Sequence, residues 1–220
     1  MKRIPKEGLA TALLMTVIFV AATILIATVD VKPVGVEGTN IGLAGINTNF
    51  FNRFGENRTF YIISSIGGGI CFATAGCFGL FFLYQWFRRK SLSKVDLNLI
   101  VLVLLYIAVA VLYVLFNKFL VINYRPVMRD KGLESSYPST HVMVAWTVMV
   151  SAVDQFNIYI KKQKLLNAVV ICCFLVLFVV VISRMLSGVH WLTDIAGGIL
   201  CGDMLIAWYR YAATRIDQKS

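Results

Sequence analysis

Long apolar runs without a charged residue dominate this chain. Four of them contain about 20 residues or more, the length that a helix needs to cross the hydrocarbon core of a bilayer: 8–29, 60–87, 97–117 and 165–183. Two weaker runs, 139–159 and 191–209, are also apolar but carry His141, Asp154, Asp194 and Asp203, mostly toward their ends. We interpret these two as spans as well, so the pattern predicts an all-α, six-span transmembrane helical bundle.

Composition supports the same class. Hydrophobic residues make up 59% and charged residues 15% of the 220 residues, against about 45–50% and about 25% in soluble domains. The chain shows no internal repeat and no linker long enough to separate domains. We therefore predict one integral membrane domain over residues 1–220.

The positive charges are distributed unevenly between the two sides of this bundle. Lysine and arginine outnumber acidic residues by 21 to 11, but they form short clusters between spans, which argues against a nucleic-acid partner. Thirteen of them fall at alternate ends of the spans: Lys2, Arg3, Lys6, Arg88, Arg89, Lys90, Lys94, Lys161, Lys162, Lys164, Arg210, Arg215 and Lys219. Basic loops face the cytoplasm. Both termini and the loop 161–164 are therefore predicted to be cytoplasmic, and Arg129 and Gly188 extracytoplasmic.

Three polar islands interrupt the apolar pattern on the predicted outer side, and the first contains two cations. Lys118 comes directly after the third span, and Arg125 follows it by seven positions. If the helix continued between them, both would lie on one face about 10 Å apart, although Pro126 disfavours helix at Arg125. Taken alone, Lys118 is also typical of an interfacial lysine, and Arg125 of a lipid-headgroup contact.

The second island begins the fourth span. Pro138 precedes Ser139, which is predicted to be the N-cap or a first-turn residue, and Thr140 and His141 follow. The free backbone N–H groups of a helix N-terminus bind anions. An imidazole at this end is suited to general acid catalysis. A capping serine followed by an interfacial histidine explains the same residues without any ligand.

The third island joins the last two spans. Arg184 closes the fifth span, His190 follows it by six positions, and Asp194 follows His190 by four. This spacing places His190 and Asp194 on one face of a helical turn, where the carboxylate can hold one ring nitrogen and direct the other toward a substrate. The alternative is a surface His–Asp pair without a function.

These islands resemble the three motifs of the type 2 phosphatidic acid phosphatase superfamily, which also includes soluble bacterial acid phosphatases and vanadium haloperoxidases. The matching residues are Lys118-x6-Arg125-Pro126, Pro138-Ser139-x-His141 and Ser183-Arg184-x5-His190-x3-Asp194. The six-span layout extends the similarity to the membrane-bound lipid phosphatase branch over nearly the whole chain. One residue departs from the pattern, because Thr140 stands where the family usually has glycine, and its side chain alters how closely the backbone can approach a phosphate.

The resemblance implies a role for each polar residue. His190 is expected to be the nucleophile that forms a phosphohistidine, with Asp194 as its orienting partner, and His141 the acid that protonates the leaving oxygen. The implied phosphate-binding residues are Lys118, Arg125, Ser139, Thr140 and Arg184. No metal and no other cofactor is implied.

The resulting hypothesis is a metal-independent membrane phosphatase with its site on the outer side of the cell membrane. Its partners would be membrane lipids and a lipid phosphate or diphosphate substrate: first an undecaprenyl diphosphate-type polyprenyl lipid, then phosphatidate or phosphatidylglycerol phosphate. The alternatives are a non-catalytic protein that binds or transports a lipid phosphate with the same pocket, and haloperoxidase chemistry with vanadate.

Three other features carry weaker expectations. Asp203, inside the sixth span, is expected to form an interhelical hydrogen bond and not a proton relay. Trp191 is expected to be an interfacial anchor. The segment 30–59 should lie at the outer membrane surface, where it either covers a site or only connects two spans.

Overall fold

The computed structural model describes residues 4–128 and 132–217, so Arg129, expected on the outer side, lies outside the described residues. The described part is an α-helical bundle. Its α-helices are α1 (Leu9–Thr28), α2 (Ala44–Phe54), α3 (Arg58–Arg89), α4 (Leu97–Val114), α5 (Thr140–Tyr159), α6 (Gln163–Leu186) and α7 (Leu192–Asp217). Isolated bridges join Lys32 with Ile41 and Tyr124 with Ser135.

Five helices are long and apolar enough to cross a membrane: α1, α3, α4 with its terminal turn, α6 and α7. The sixth expected span, α5, has 20 residues but a more polar sequence. It lies at the centre of the bundle, packed against α3, α4, α6 and α7. Its polar residues Thr147, Ser151, Asp154 and Gln155 are buried inside the protein. A helix surrounded by protein does not need an apolar surface on every side, which explains why its hydropathy is low.

The α4 helix does not continue toward Arg125, so the conditional expectation of two cations on one helical face is wrong. The helix ends in a π turn over Leu115–Phe119, and the chain then becomes extended. The backbone N–H of Arg125 donates to the Glu134 carbonyl at 3.0 Å. Pro126 accounts for this, because proline disfavours helix in the residue before it.

The segment between α1 and α3 contains α2, a short helix that the sequence did not predict. This segment packs against the loop between α6 and α7. The Asn57 backbone N–H donates to the Ser187 carbonyl at 3.0 Å, and the Asn47 side chain donates to Thr193 Oγ1 at 2.9 Å. A Cβ added to Gly188, which has φ of +68°, would collide with the Gly55 carbonyl. The segment therefore covers the α6–α7 loop.

Polar contacts also join the helices at the opposite end of the bundle. Asp154, 1% exposed, accepts from Arg210 Nε at 2.8 Å and from the Arg210 terminal nitrogen Nη2 at 3.2 Å. A Glu7 oxygen lies 3.8 Å from the same guanidinium. These contacts bring the first residues of the chain to the C-terminal half of α7, as expected when both chain ends lie on one side of a bundle.

One minor expectation can be compared with these contacts. Trp146 Nε1 donates to Asp203 Oδ1 at 2.8 Å, which confirms the interhelical hydrogen bond. All five cysteines are free; Cys71, Cys173 and Cys201 are buried, and Cys77 and Cys172 are exposed.

Candidate active site

His190 lies in the loop that connects α6 to α7, two residues before α7 begins, and is 3% exposed. Its Nδ1 atom lies 3.1 Å from the Ser136 carbonyl oxygen. A carbonyl can only accept, so Nδ1 carries the proton and Nε2 carries the lone pair. Nε2 is buried and has no hydrogen-bond partner among the described residues. The fold therefore leaves the nitrogen suited to nucleophilic attack unpaired.

Asp194 is close to this ring but is not its nearest acceptor. The distance from Asp194 Oδ2 to His190 Nδ1 is 3.6 Å, longer than a hydrogen bond. Oδ2 accepts the Trp191 backbone N–H at 2.9 Å, and Oδ1 accepts from Asn123 Nδ2 at 3.2 Å. The structure thus brings His190 and Asp194 together, although His190 precedes the helix and does not share a helical face with Asp194.

His141 occupies the first turn of α5 and meets Arg184, which is 1% exposed. The distance from His141 Nδ1 to Arg184 Nη2 is 2.6 Å. A guanidinium only donates, so Nδ1 of His141 accepts and its proton lies on Nε2. The Nε2 side of the ring faces α3, where a Cβ on Gly68 would lie 3.2 Å from Cδ2. The two histidines therefore hold opposite tautomers.

Arg184 is fixed by contacts beyond His141. One terminal nitrogen, Nη1, donates to Ser64 Oγ at 3.2 Å, and the Tyr61 ring centroid lies 5.2 Å from its Cζ atom. Both partners belong to the first turns of α3. A buried guanidinium requires such partners because an uncompensated charge inside a protein is costly.

Arg125 approaches the same region from the loop before α5. One of its terminal nitrogens lies 3.4 Å from the Val189 carbonyl, next to His190. Its Nε atom lies 2.9 Å from Glu134 Oε2, an ion pair in which the N–H is not aligned for a hydrogen bond. Burial, together with the positive charges of Arg125 and Arg184, holds the pKa of His190 well below its usual range. The imidazole therefore stays neutral.

The start of α5 has the predicted form. Ser139 is the N-cap residue, it is completely buried, and its side chain makes no capping hydrogen bond. Its Oγ has no partner among the described residues, while its backbone N–H donates to the Asp194 carbonyl at 2.9 Å. Thr140 follows at the edge of a cavity. The first turn therefore offers an unpaired hydroxyl and helix N–H groups close to the Asp194 backbone.

A cavity of about 500 Å³ opens between α3, α4 and α5 at this end of the bundle. Polar lining residues include Arg125, Thr140 and His141, and the apolar part of the wall includes Phe72 and Tyr113. These two aromatic side chains are 64% and 49% exposed on the outer surface of α3 and α4. A cavity with walls on the lipid-facing helices is open toward the bilayer.

Lys118 is the predicted site residue that the structure leaves apart from the others. It lies exposed in the π turn at the end of α4 and is not among the residues that line the cavity, although its neighbour Asn117 is. Arg125, Ser139, Thr140, His141, Arg184, His190 and Asp194 lie at one end of the bundle around the cavity and the α6–α7 loop.

Trp191 is buried inside the protein and has almost no surface free to contact a membrane interface, so the expectation of an interfacial anchor is wrong. The residue is 3% exposed, and its Nε1 donates to the Tyr124 carbonyl at 2.7 Å. Its ring centroid lies 5.7 Å from that of Phe51 on α2. The ring instead packs the covering segment onto the loop that carries His190.

Sequence reasoning missed Ser136, Asn123 and Ser64, which hold His190, Asp194 and Arg184 respectively. Each is a common polar residue far along the chain from its partner, and no local spacing identifies such pairs. Within residues 4–128 and 132–217, no group of three or more His, Cys, Asp or Glu side chains is arranged to hold a metal ion.

Comparisons with known proteins identify a similar family profile and a similar fold. The sequence profile of the PAP2 superfamily matches residues 118–217. A solved structure, the transmembrane PAP2-type phosphatidylglycerolphosphate phosphatase from Bacillus subtilis, is similar over 96% of this chain and 98% of its own. The TM-score is 0.55 and the sequence identity is 17%, so this likeness concerns the fold. A search of curated proteins finds no match.

Proposed function

Since the PAP2 superfamily profile matches residues 118–217, we propose that this chain belongs to that superfamily and is a multi-pass membrane phosphatase that hydrolyses a lipid phosphate or diphosphate through a phosphohistidine. The observation that carries the proposal is the pair of opposite tautomers. Ser136 keeps the proton of His190 on Nδ1, and Arg184 keeps the proton of His141 on Nε2. One ring is therefore prepared to attack and the other to donate a proton.

The first step forms a bond between His190 Nε2 and the phosphorus atom while the bond from phosphorus to the leaving oxygen breaks. In the substrate complex the phosphate dianion accepts from Arg184, so Nδ1 of His141 is released to take up a proton and the ring becomes an imidazolium. Its Nε2 proton passes to the leaving oxygen, giving the free lipid alcohol or, from a diphosphate, the lipid monophosphate, and His141 becomes neutral. Positive charge then develops on the His190 ring, where the Ser136 carbonyl and the Asp194 carboxylate face Nδ1.

The second step returns the enzyme to its starting state. Water attacks the phosphohistidine, the bond from Nε2 to phosphorus breaks, and inorganic phosphate leaves. His141 takes one proton from the attacking water, which restores its Nε2–H. Both steps conserve protons and neither needs an oxidant or reductant.

Fixed donors bind the phosphoryl oxygens in this proposal. Arg125 and Arg184 supply two permanent charges, and the Ser139 hydroxyl and the Thr140 backbone N–H supply neutral donors. Lys118, exposed beside a cavity residue, is assigned to phosphoryl or headgroup oxygens at the mouth of the cavity. Positive charge already in place where oxygen charge increases supports catalysis without a metal ion.

The aromatic and aliphatic wall of the cavity favours an amphiphilic substrate. Phe72 and Tyr113 extend from the site to the lipid-facing surface, so an acyl or prenyl chain can remain in the bilayer while its phosphate reaches His141. A polyprenyl diphosphate is our first choice, because a protein of only 220 residues with an outward-facing site suits the recycling of a lipid carrier. Phosphatidate and phosphatidylglycerol phosphate come second.

The direct test is phosphate release from polyprenyl, glycerophospholipid and soluble sugar phosphates in excess EDTA. Lipid substrates should be hydrolysed and sugar phosphates much less, and vanadate, which copies the five-coordinate transition state, should inhibit competitively. Activity that disappears with EDTA and returns with magnesium would overturn the metal-free mechanism. Binding of lipid phosphate without any release would favour the non-catalytic alternative.

The outward orientation needs its own experiment. Asn52 on α2 and Lys162 between α5 and α6 are exposed at opposite ends of the bundle. In a background with all cysteines replaced by alanine, Asn52→Cys should react with an impermeant maleimide in intact cells, and Lys162→Cys only after permeabilisation. The reverse pattern would place the site on the cytoplasmic side.

A further inference from the structure

Asn123 lies between the covering segment and the carboxylate beside His190. It is completely buried. Its Nδ2 donates to Asp194 Oδ1 at 3.2 Å, and its Oδ1 accepts the Gly42 backbone N–H, also at 3.2 Å. A backbone N–H only donates and a carboxylate oxygen accepts, so the two partners fix the orientation of the amide.

The backbone of Asn123 holds a second group at the same ring. Its carbonyl accepts the Ser136 backbone N–H at 2.9 Å, and the Ser136 carbonyl is the acceptor for His190 Nδ1. The side chain of Asn123 thus holds Asp194, while its main chain holds Ser136. Both groups that face His190 Nδ1 depend on this one residue.

The other partner of Asn123 is itself held firmly. Gly42 lies where the chain turns from the end of α1 toward α2, and a Cβ there would collide with the Ile26 carbonyl. Its carbonyl accepts from Asn47 Nδ2 at 2.8 Å, and the same nitrogen donates to Thr193 Oγ1 at 2.9 Å. The covering segment therefore offers Asn123 a fixed point and not a mobile loop.

We propose that Asn123 is a positioning residue, which transmits the position of the covering segment to Asp194 and keeps His190 in the tautomer with a free Nε2. This inference rests on the proposed function. Hydrogen bonds from Asn123 to Oδ1 and from the Trp191 N–H to Oδ2 hold the Asp194 carboxylate in an orientation that leaves Oδ2 3.6 Å from His190 Nδ1, so the nearer Ser136 carbonyl remains the acceptor. Fixing a reacting group by hydrogen bonds to its neighbours is a general requirement of catalytic sites.

Two variants test this role. Asn123→Ala removes both side-chain bonds, and Asn123→Asp keeps the shape and the acceptor for Gly42 but loses the donor to Asp194. Both should lower kcat about 10- to 100-fold, as expected when a group that orients a reacting side chain is lost, with little change in KM. Asn49→Ala, at an exposed position of α2, is the matched control and should leave kcat unchanged.

A second readout does not depend on turnover. The chain has two histidines, so imidazole ¹⁵N NMR of the purified protein in detergent, with His141→Gln to assign the signals, reports the tautomer of His190. The wild type should show protonated Nδ1, and both Asn123 variants should show changed His190 signals and a raised pKa of His190, because the Asp194 carboxylate is no longer held away from Nδ1.

The outcomes separate the two claims. Wild-type kcat and an unchanged His190 spectrum in both variants would overturn the positioning role while leaving the phosphatase intact. A lower yield of folded protein with normal kcat per folded molecule would also overturn it, because the residue would then be only structural. A wild-type protein that releases no phosphate but whose His190 tautomer depends on Asn123 would refute the proposed function and retain the positioning.

Discussion

The two ends of the bundle both contain buried polar clusters, but they differ in how their polar atoms are satisfied. At the end with the chain termini, Asp154 is paired with Arg210 through two hydrogen bonds, and Gln155 donates to the Tyr209 hydroxyl at 2.8 Å. At the other end, Ser139 Oγ and His190 Nε2 are buried without a partner within the described part of the chain.

This difference distinguishes structure from function. A buried polar atom without a hydrogen bond costs about 1–3 kcal/mol, so a cluster selected for stability alone would not keep two of them within one site. The paired cluster joins α5 and α7 and stabilises the bundle. In the proposed mechanism, a phosphoryl group supplies the missing partners of the two unpaired atoms.

The strongest test removes the nucleophile. His190→Gln keeps the size and a hydrogen-bonding amide, yet it should reduce phosphate release to background, because no other histidine can form the covalent intermediate. The matched variant at the other end, Gln155→Leu, should keep kcat per folded molecule. Acid-labile ³²P incorporation should be present in wild type and Gln155→Leu and absent in His190→Gln. Persistent labelling of His190→Gln would refute the assignment.

Removing the acid should produce a large effect that depends on the leaving group. His141→Ala should lower kcat/KM on lipid alkyl esters by about 10²- to 10⁴-fold, the usual contribution of a general acid. Aryl phosphates should lose much less, since their leaving oxygen needs little protonation. The measurement is kcat/KM on both substrate classes. Equal losses on both would show that His141 does not donate the proton.

The paired cluster should respond in stability and not in chemistry. Asp154→Ala removes the bidentate partner of Arg210, whose side chain is 22% exposed, so the cost should be smaller than that of breaking a fully buried pair, about 3–5 kcal/mol. Thermal unfolding in detergent should therefore occur at a clearly lower temperature, while kcat of the folded fraction stays near wild type. A normal unfolding temperature, or a selective loss of kcat, would remove the distinction between the two ends.

The smallest expected effect is a shift in pH dependence. Burial and two arginines hold the pKa of His190 below the model-peptide value of 6.5, so the free enzyme keeps its nucleophile neutral as pH falls through 6.5. The kcat/KM of the wild type should decline only at lower pH. Measuring kcat/KM against pH with two substrates whose phosphates differ in pKa distinguishes titration of the enzyme from titration of the substrate. If kcat/KM fell for both substrates with the same pKa, at or above 6.5, a neutral and buried nucleophile would be contradicted.

The end of the bundle that contains the Asp154–Arg210 pair should lose stability in a different pH range. Burial alone would raise the pKa of Asp96, but hydrogen bonds from Gln85, Arg89 and Tyr159 lower it below 3.8. A depressed carboxyl pKa contributes stability above the unfolded value, and this contribution is lost as pH falls through the folded value. The stability contributed by Asp96 should therefore be lost below about pH 4, separately from the decline in kcat/KM that titration of His190 causes.

Local spacing in the sequence predicted much of this picture. The long apolar runs identified the spanning helices, and the motif residues Ser139, His141, Arg184, His190 and Asp194 meet at one end of the bundle. Such residues lie within or beside helices, where position along the chain largely determines position in space. The interhelical bond of Asp203 was predicted for the same reason.

Long-range contacts could not be predicted in this way. Asn123 meets Asp194 across 71 positions, and Ser136 meets His190 across 54; neither pair has a periodic spacing. The expectation for Trp191 was wrong. An aromatic residue at the end of a span is typical of the membrane interface, whereas here α2 packs over it. The π turn after α4 was not predicted because apolar periodicity does not distinguish it from continuing helix.

The open wall of the cavity has a consequence for the kinetics of the protein. Phe72 and Tyr113 are exposed on the surfaces of α3 and α4, so under the proposed function a lipid substrate would reach the site by diffusion within one leaflet. Its effective concentration is then its mole fraction among membrane lipids and not its amount per volume of buffer. Added inert lipid or detergent should slow turnover at a constant total amount of substrate, because the reaction proceeds in two dimensions.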